Sequence, residues 1–181
     1  KTVYFDIASI ISKFFQEYTE KFTAVPSEVG ISVNVDGVSP FRNSPKNFWN
    51  CLCEIHGLKI PFVFPVSASF GIGKPSDLNF IEQSIKNIQD VLITDGLFGV
   101  KFALIFIVCD LPAKSFMKNV MQFNSYKGCD RCNCSGTMIN RRMIFPIKKH
   151  DLRQNSSFRA MQEDNQILEK GVSPFTLFKN L

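Results

Sequence analysis

Two strand-like apolar runs each deliver an aspartate at their carboxyl end, and this coupling of run and acid constrains the chain more than any other feature. The first run is Ile31-Ser-Val-Asn-Val-Asp36-Gly37, partly alternating and rich in β-branched residues. The second is Phe102-Ala-Leu-Ile-Phe-Ile-Val-Cys-Asp110. Alternation predicts a strand with one buried face, whereas a run apolar on both faces predicts a strand in the middle of a sheet rather than at its edge. If the two are neighbours in one sheet, their carboxylates converge where a divalent metal ion could sit.

The segments around these runs supply a sheet and its helices. In the first thirty residues Ile7, Ile10, Ile11, Phe14, Phe15 and Tyr18 recur at helical spacing, and Pro26 and Gly30 end that segment. Asp36-Gly37 marks either a hairpin turn or the end of the first strand. A polar loop from Ser39 to Asn47 leads to a second strand, Phe48 to Ile55, in which Trp49 and Leu52 pack. His56-Gly57 turns the chain into a third strand at about 60–67, and connections this short favour an antiparallel meander. Ser76-Asp77 predicts an N-cap for a helix running to about Thr94, with Leu78, Ile81, Ile85, Ile88 and Leu92 forming one apolar stripe and Asp95-Gly96 closing it. After Asp110, Pro112 predicts a helix start and Ala113 to Met121 a short helix.

The order strand, strand, strand, helix, strand, helix is what an RNase H-like mixed sheet requires: three antiparallel strands, a crossover helix and a central parallel strand beside the first. The expected organisation is an N-terminal helical segment over 1–28, the first part of the catalytic core over 29–124, and a Cys-x-x-Cys insertion with a C-terminal helix over 125–181. With 181 residues, 45% of them hydrophobic, the chain is long enough for a real core. Six cysteines do not make a disulfide scaffold in a chain of this size and apolarity. No basic-then-apolar leader and no bilayer-length apolar run occurs, so membrane insertion has no support. Because Lys1 is not an initiator methionine, the reading expects a piece of a longer product.

Charge is segregated. Lys114 to Arg159 holds ten lysines and arginines against two acids, Asp130 and Asp151; this local +8 leaves −3 for the rest of a chain whose net charge is +5. A basic region beside a cysteine pair is the electrostatic footprint of a phosphate-backbone binder, and equally of a solvated face with no partner.

Two-metal phosphodiester cleavage needs carboxylates that hold Mg²⁺ or Mn²⁺ ions about 4 Å apart. Asp36 and Asp110 are candidates, although Asp36 also reads as a turn residue before glycine and Asp110 as a helix N-cap. Cys129-Asp-Arg-Cys132 has the spacing of half a structural zinc site. Cys134 could replace one of the pair, and His150 reads first as a solvated histidine. Cys51 and Cys53 are expected on opposite faces of a strand as core packing, and Cys109 as a buried strand residue.

Several blocks resemble the CACTA (En/Spm-type) group of DDE transposases and their animal relatives. They are Asn34-Val-Asp36-Gly-Val-Ser-Pro-Phe41, Phe48-Trp49, Pro61 to Pro65, Cys109-Asp110-Leu-Pro-Ala113, Tyr126-Lys-Gly-Cys129-Asp-Arg-Cys132 and Gly171-Val-Ser-Pro-Phe175. The resemblance runs from about Val29 to the C-terminus. It implies an RNase H-like catalytic core in which Asp36 and Asp110 match the first two acids of the DDE triad. Cys129 and Cys132 match a zinc-binding pair inserted in that core. It further implies Mg²⁺ or Mn²⁺ at the acids, double-stranded transposon-end DNA as partner, a homo-oligomer in the intact protein, and a nuclear setting. The third acid of such a triad is expected beyond Leu181. Glu163, Asp164 and Glu169, on an expected helix over 158–170, read first as a solvated face. The chain alone is therefore expected to be an inactive fragment of a strand-cleaving and strand-transferring enzyme. The alternative is a transposon-derived, zinc-containing module that binds DNA or protein without cutting.

Overall fold

The computed structural model describes residues 1–21, 25–75, 78–160 and 172–178. It divides into two compact units, Lys1–Cys109 and Asp110–Leu181.

The first unit is a mixed α/β unit built on a five-stranded, mostly antiparallel sheet. Its elements are β1 (Thr2–Tyr4), α1 (Ile7–Lys21), β2 (Glu28–Val38), β3 (Lys46–His56), β4 (Phe62–Ile72), α2 (Asn79–Ile88) and β5 (Lys101–Val108), with a π-helical turn, Gln89–Thr94, extending α2. The spatial order is β1-β4-β3-β2-β5. β2, β3 and β4 form the expected antiparallel meander, and β5 returns through α2 to lie parallel to β2. The short strand β1, inside the segment read as helical, pairs antiparallel with the far edge of β4. The proposed cap Ser76-Asp77 lies outside the described residues.

The core follows from two periodicities. On β2, Val29, Ile31, Val33 and Val35 are buried; on β3, Trp49, Cys51, Cys53 and Ile55. Alternate residues share one face of a strand, so Cys51 and Cys53 lie on the same buried face, not on opposite ones. Ile7, Ile11, Phe15 and Tyr18 of α1 and Phe80, Ile81, Ile85 and Ile88 of α2 are the buried stripes of their helices. Fully burying a side chain such as Phe15 contributes about 2–3 kcal/mol. Phe14 adds a stacked contact with Phe62 of β4, ring centroids 3.7 Å apart.

Two sequence expectations are corrected. β5 is not central: among the described residues it is an edge strand, and Ile105, Phe106 and Val108 are 50%, 44% and 47% exposed. An apolar run reports hydrophobicity, not how many neighbours a strand has. Gly30 does not end the N-terminal segment either. It lies within β2 opposite Ala103, and a Cβ there would stand 2.0 Å from Ile105 Cδ1. The register of β2 against β5 slips at this point, with Ile31 opposite Leu104 but Ser32 opposite Phe106, so Ile105 is the extra residue of a bulge.

β4 shows the same device. Its register against β3 slips between Cys51 and Leu52, which oppose Ser67 and Pro65, so a residue unable to donate a ladder hydrogen bond sits beside the bulge at Val66.

The second unit holds α3 (Leu111–Lys118), a hairpin of β6 (Thr137–Ile139) and β7 (Arg142–Ile144), α4 (Asn155–Arg159) and a 3₁₀ turn, Pro174–Leu177. Asn140 and Arg141, both at positive φ (49° and 62°), make the two-residue turn of the hairpin. α3 begins at Leu111 and stops at Asn119, whose left-handed conformation (φ 54°) caps it earlier than the expected Met121. Ala113, Met117, Val120, Cys134 and Phe178 are its buried apolar residues, a small core. No helix of the described residues is long and apolar enough to cross a membrane.

Gly37 generates a test. β2 continues through Asp36-Gly37 to Val38, so the glycine serves no turn. A Cβ on it would lie 2.5 Å from Cε2 of Trp49, its buried cross-strand partner. Gly37→Ala is expected to displace that ring and cost about 1–3 kcal/mol as overpacking. Because Trp49 is the single tryptophan, its emission spectrum and a denaturant titration read the change directly.

Candidate functional site

Asp36 belongs to the first unit and Asp110 opens the second, and each is defined by its own strand or helix end. Asp36 sits on β2 opposite Asn50 of β3, half-buried. Its Oδ1 accepts a 2.7 Å hydrogen bond from the Gly37 N–H. Asn50 Oδ1 beside it is buried and accepts no hydrogen bond among the described residues. Two residues before Asp36, Asn34 is registered against Val108, the last residue of β5, and its Nδ2 donates to the Val108 carbonyl at 3.4 Å.

Asp110 follows Val108 by two residues and is the N-cap of α3. Its backbone is extended (φ −69°, ψ 169°), and its Oδ1 accepts from the Ala113 N–H at 2.7 Å. Pro112 in the first turn lacks an N–H that would otherwise need a partner. Such a cap contributes about 1 kcal/mol. The structural role considered for Asp110 is thus realised. Oδ2 of neither aspartate accepts a hydrogen bond among the described residues, so each carboxylate retains free acceptor capacity.

The cysteine cluster lies within the second unit. Sγ atoms of Cys129, Cys132 and Cys134 all fall within 4.8 Å of one another, and Cys132 Sγ is 3.4 Å from each of the other two. None of the three is in a disulfide. Thiolates converging in this way can hold a metal ion such as zinc. Cys134, weighed from the sequence only as a substitute for one of the pair, joins both. The signal was present in its spacing, but a third ligand two residues on requires the chain to fold back. It does so through the contacts that fix residues 129–134. Gly136 N–H donates to the Tyr126 carbonyl at 2.7 Å, and Gly128 is packed so closely that a Cβ would sit 2.0 Å from the Gln122 carbonyl oxygen.

The thiols differ in their acidity. Burial raises Cys129, but backbone N–H groups of Arg131 and Cys132 and the neighbouring sulfurs outweigh it and bring the thiol below its ordinary value. Burial, reinforced by the neighbouring thiols, pushes Cys134 up to about 12. Cys51, buried in the first unit, is likewise pushed up to about 12, and Cys53 well above its ordinary value.

Asp130, inside the Cys-x-x-Cys loop, ties that loop to α3. Lys118 Nζ reaches Oδ1 at 2.6 Å, and Lys114 pairs with Oδ2. Burial alone would raise the carboxyl, but the two lysines together hold it below its ordinary range.

These contacts divide the basic region into two classes. Lys114 and Lys118 pair with Asp130. Lys127 donates to Ser135, Arg153 to the Cys129 carbonyl, and Arg159 to the Thr176 and Phe178 carbonyls. Arg131, Arg141, Arg142, Lys148 and Lys149 are exposed and form no ion pair among the described residues. Two of these cations, Arg141 and Arg142, stand at the turn of the β6–β7 hairpin. Glu163, Asp164 and Glu169 lie outside the described residues.

Reactivity should follow these surroundings. In the metal-free, reduced protein at mildly alkaline pH, alkylation mapped by peptide mass is expected to reach Cys129 before Cys134. Cys51 and Cys53, each 1% exposed, should resist until global unfolding.

No protein-family model matches the chain, and no curated protein matches it.

Proposed function

We propose that this chain carries the first two acids of a DDE-type DNA transposase core, related to the CACTA group that its sequence blocks resemble, and that its sheet is of the RNase H-like kind. The observation that carries the reading is the parallel register of β2 and β5, in which Asn34 opposes Val108 and each is followed by an aspartate two residues later. The antiparallel β2-β3-β4 meander and the return through α2 support the same topology.

In this reading Asp36 and Asp110 each keep one oxygen on a backbone N–H, which fixes the carboxylate's rotation, and present the other to a divalent cation. Such ions supply an activated water and charge stabilisation at the scissile phosphate. The exposed cations Arg131, Arg141, Arg142, Lys148 and Lys149 follow the DNA backbone, and their contacts are sequence-independent.

A second reading, a zinc-containing DNA- or protein-binding module that does not cut, is favoured by one observation: the carboxylate of Asp110 already has a structural role as a cap. Asparagine caps helices as well as aspartate does but carries no charge. Asp110→Asn therefore separates the two readings. With Fe²⁺ substituted for Mg²⁺ in the presence of ascorbate and peroxide, metal-directed backbone cleavage is expected near residues 36 and 110. It should be competed by Mg²⁺ and lost in Asp36→Asn and Asp110→Asn at unchanged thermal stability. Cleavage unaffected by both substitutions, or absent from the parent protein, rejects the catalytic reading in favour of the binding module.

DNA contact has its own measurement. The double substitution Arg141→Ala/Arg142→Ala should weaken binding to unrelated duplexes to a similar degree and reduce the magnitude of the log–log salt slope by about 1–2. An unchanged slope would remove the hairpin from the interface.

A further inference from the structure

The three sulfurs of the second unit leave a tetrahedral site one ligand short, and a buried nitrogen with no partner lies on the segment paired with them. Residues 131–133 and 151–153 form a short antiparallel ribbon. Cys132 is bridged to Leu152, Asn133 N–H donates to the Asp151 carbonyl at 3.0 Å, and Arg153 N–H donates to the Arg131 carbonyl at 2.9 Å. Carrying that register two residues further sets His150 opposite Cys134. By the two-residue period of extended chain, Cys132, Cys134, His150 and Leu152 then fall on one face. Arg153 holds the remaining cysteine's backbone through a 2.9 Å hydrogen bond from its Nε to the Cys129 carbonyl.

His150 Nε2 is buried and makes no hydrogen bond among the described residues. A buried polar atom left without a partner is costly, typically about 1–3 kcal/mol, and an ion is one of the few things that relieves it. Neutral imidazole is a preferred zinc ligand, and three cysteines with one histidine is a common closed set for structural zinc. The sulfurs also fit the group. Two of their separations are 3.4 Å, slightly inside the edge of about 3.8 Å that zinc-bound thiolates span in a tetrahedron. His150 is not within 4.8 Å of all three sulfurs, so loading requires a slight spreading of the sulfurs and a movement of the His150 side chain toward them.

We infer that His150 is the fourth ligand of a Cys129-Cys132-Cys134-His150 zinc site, which staples the 150–153 segment to the cysteine loop. A four-ligand site has no open position, so its role is structural and it does no chemistry on a substrate. The inference is independent of strand cleavage: it holds whether or not Asp36 and Asp110 bind metal. The small apolar core of this unit gives the staple its purpose, since metal binding contributes directly to folding where burial is limited.

Cobalt(II) alone, titrated into the reduced full chain, is the probe. The parent protein is expected to give the intense d–d bands of four-coordinate cobalt, with sulfur-to-metal charge transfer scaled to three thiolates. Cys134→Ala should remove about a third of that charge-transfer intensity. His150→Ala should weaken cobalt and zinc binding by on the order of tenfold or more. His150→Cys should restore tight binding and move the d–d envelope to longer wavelength as thiolate replaces imidazole, a readout that does not depend on the alanine variant folding. Affinity within about twofold of the parent in His150→Ala, or an unshifted d–d envelope in His150→Cys, overturns the assignment.

Discussion

The parallel pairing of β2 with β5 is the contact from which the rest of the first unit is organised. β2 is hydrogen-bonded along both edges, to antiparallel β3 and to β5, so its register decides what every neighbouring strand presents at its end. Parallel strands cannot be joined by a tight turn; the chain must leave the sheet and return, and it does so through α2 and its π-helical extension. The apolar stripe of α2 makes that return favourable by burying Phe80, Ile81, Ile85 and Ile88. Gly30 and the bulge at Ile105 set the phase of the last three registered pairs, from Ser32–Phe106 to Asn34–Val108. A one-residue slip in that phase would exchange buried for exposed faces along β5.

The second unit is held by different forces. Its apolar core is small, and polar contacts take over much of the work of positioning. Asp130 gathers two lysines of α3 onto the cysteine loop, Arg159 reaches the carbonyls at the end of the 3₁₀ turn, and Lys118 also lies over the Phe158 ring, 5.1 Å from its centroid. Exposed ion pairs contribute little individually, but Lys118 is only 17% exposed and shares its acceptor with Lys114. Two polar contacts border the three sulfurs: Asp130 lies between Cys129 and Cys132, and Arg153 donates to the Cys129 carbonyl. A closed metal site there would add a cross-link to loops otherwise held by polar contacts, and a unit with limited burial gains more from such a cross-link than from further surface charge.

The same network changes the meaning of the local +8. Half of those cations are occupied with holding the unit together, so net charge overstates the surface available to a polyanion. The exposed remainder is concentrated on Arg131, the β6–β7 hairpin and the segment following it, where long basic side chains stand beside exposed Ile139, Ile144 and Ile147. An account of nucleic-acid affinity based on these five residues differs from one based on ten, because counterion release scales with phosphates actually neutralised.

The sequence by itself determined the meander, the amphipathic α1 and α2, the strand character of both aspartate-ending runs and the convergence of Cys129 and Cys132. All are local: they depend on the periodicity of side chains within one element or on ligand spacing within one loop. It also contained both possible roles of Asp110, but could not choose between them, because a cap is recognised only when its carboxylate is seen on the Ala113 N–H. Tertiary structure decided the matters that depend on residues distant in sequence. It put β5 at the edge, because strand order is set by pairing and not by the hydrophobicity of a run. It added β1, too short to show a period, and required Gly37 because a ring twelve residues away covers it. Cys134 joined the other sulfurs because the chain folds back on hydrogen bonds from Gly136 and Asn133, and the segment after His150 came beside the cysteine loop through the Cys132–Leu152 bridge, a ribbon of so few residues that no pattern in the sequence announces it.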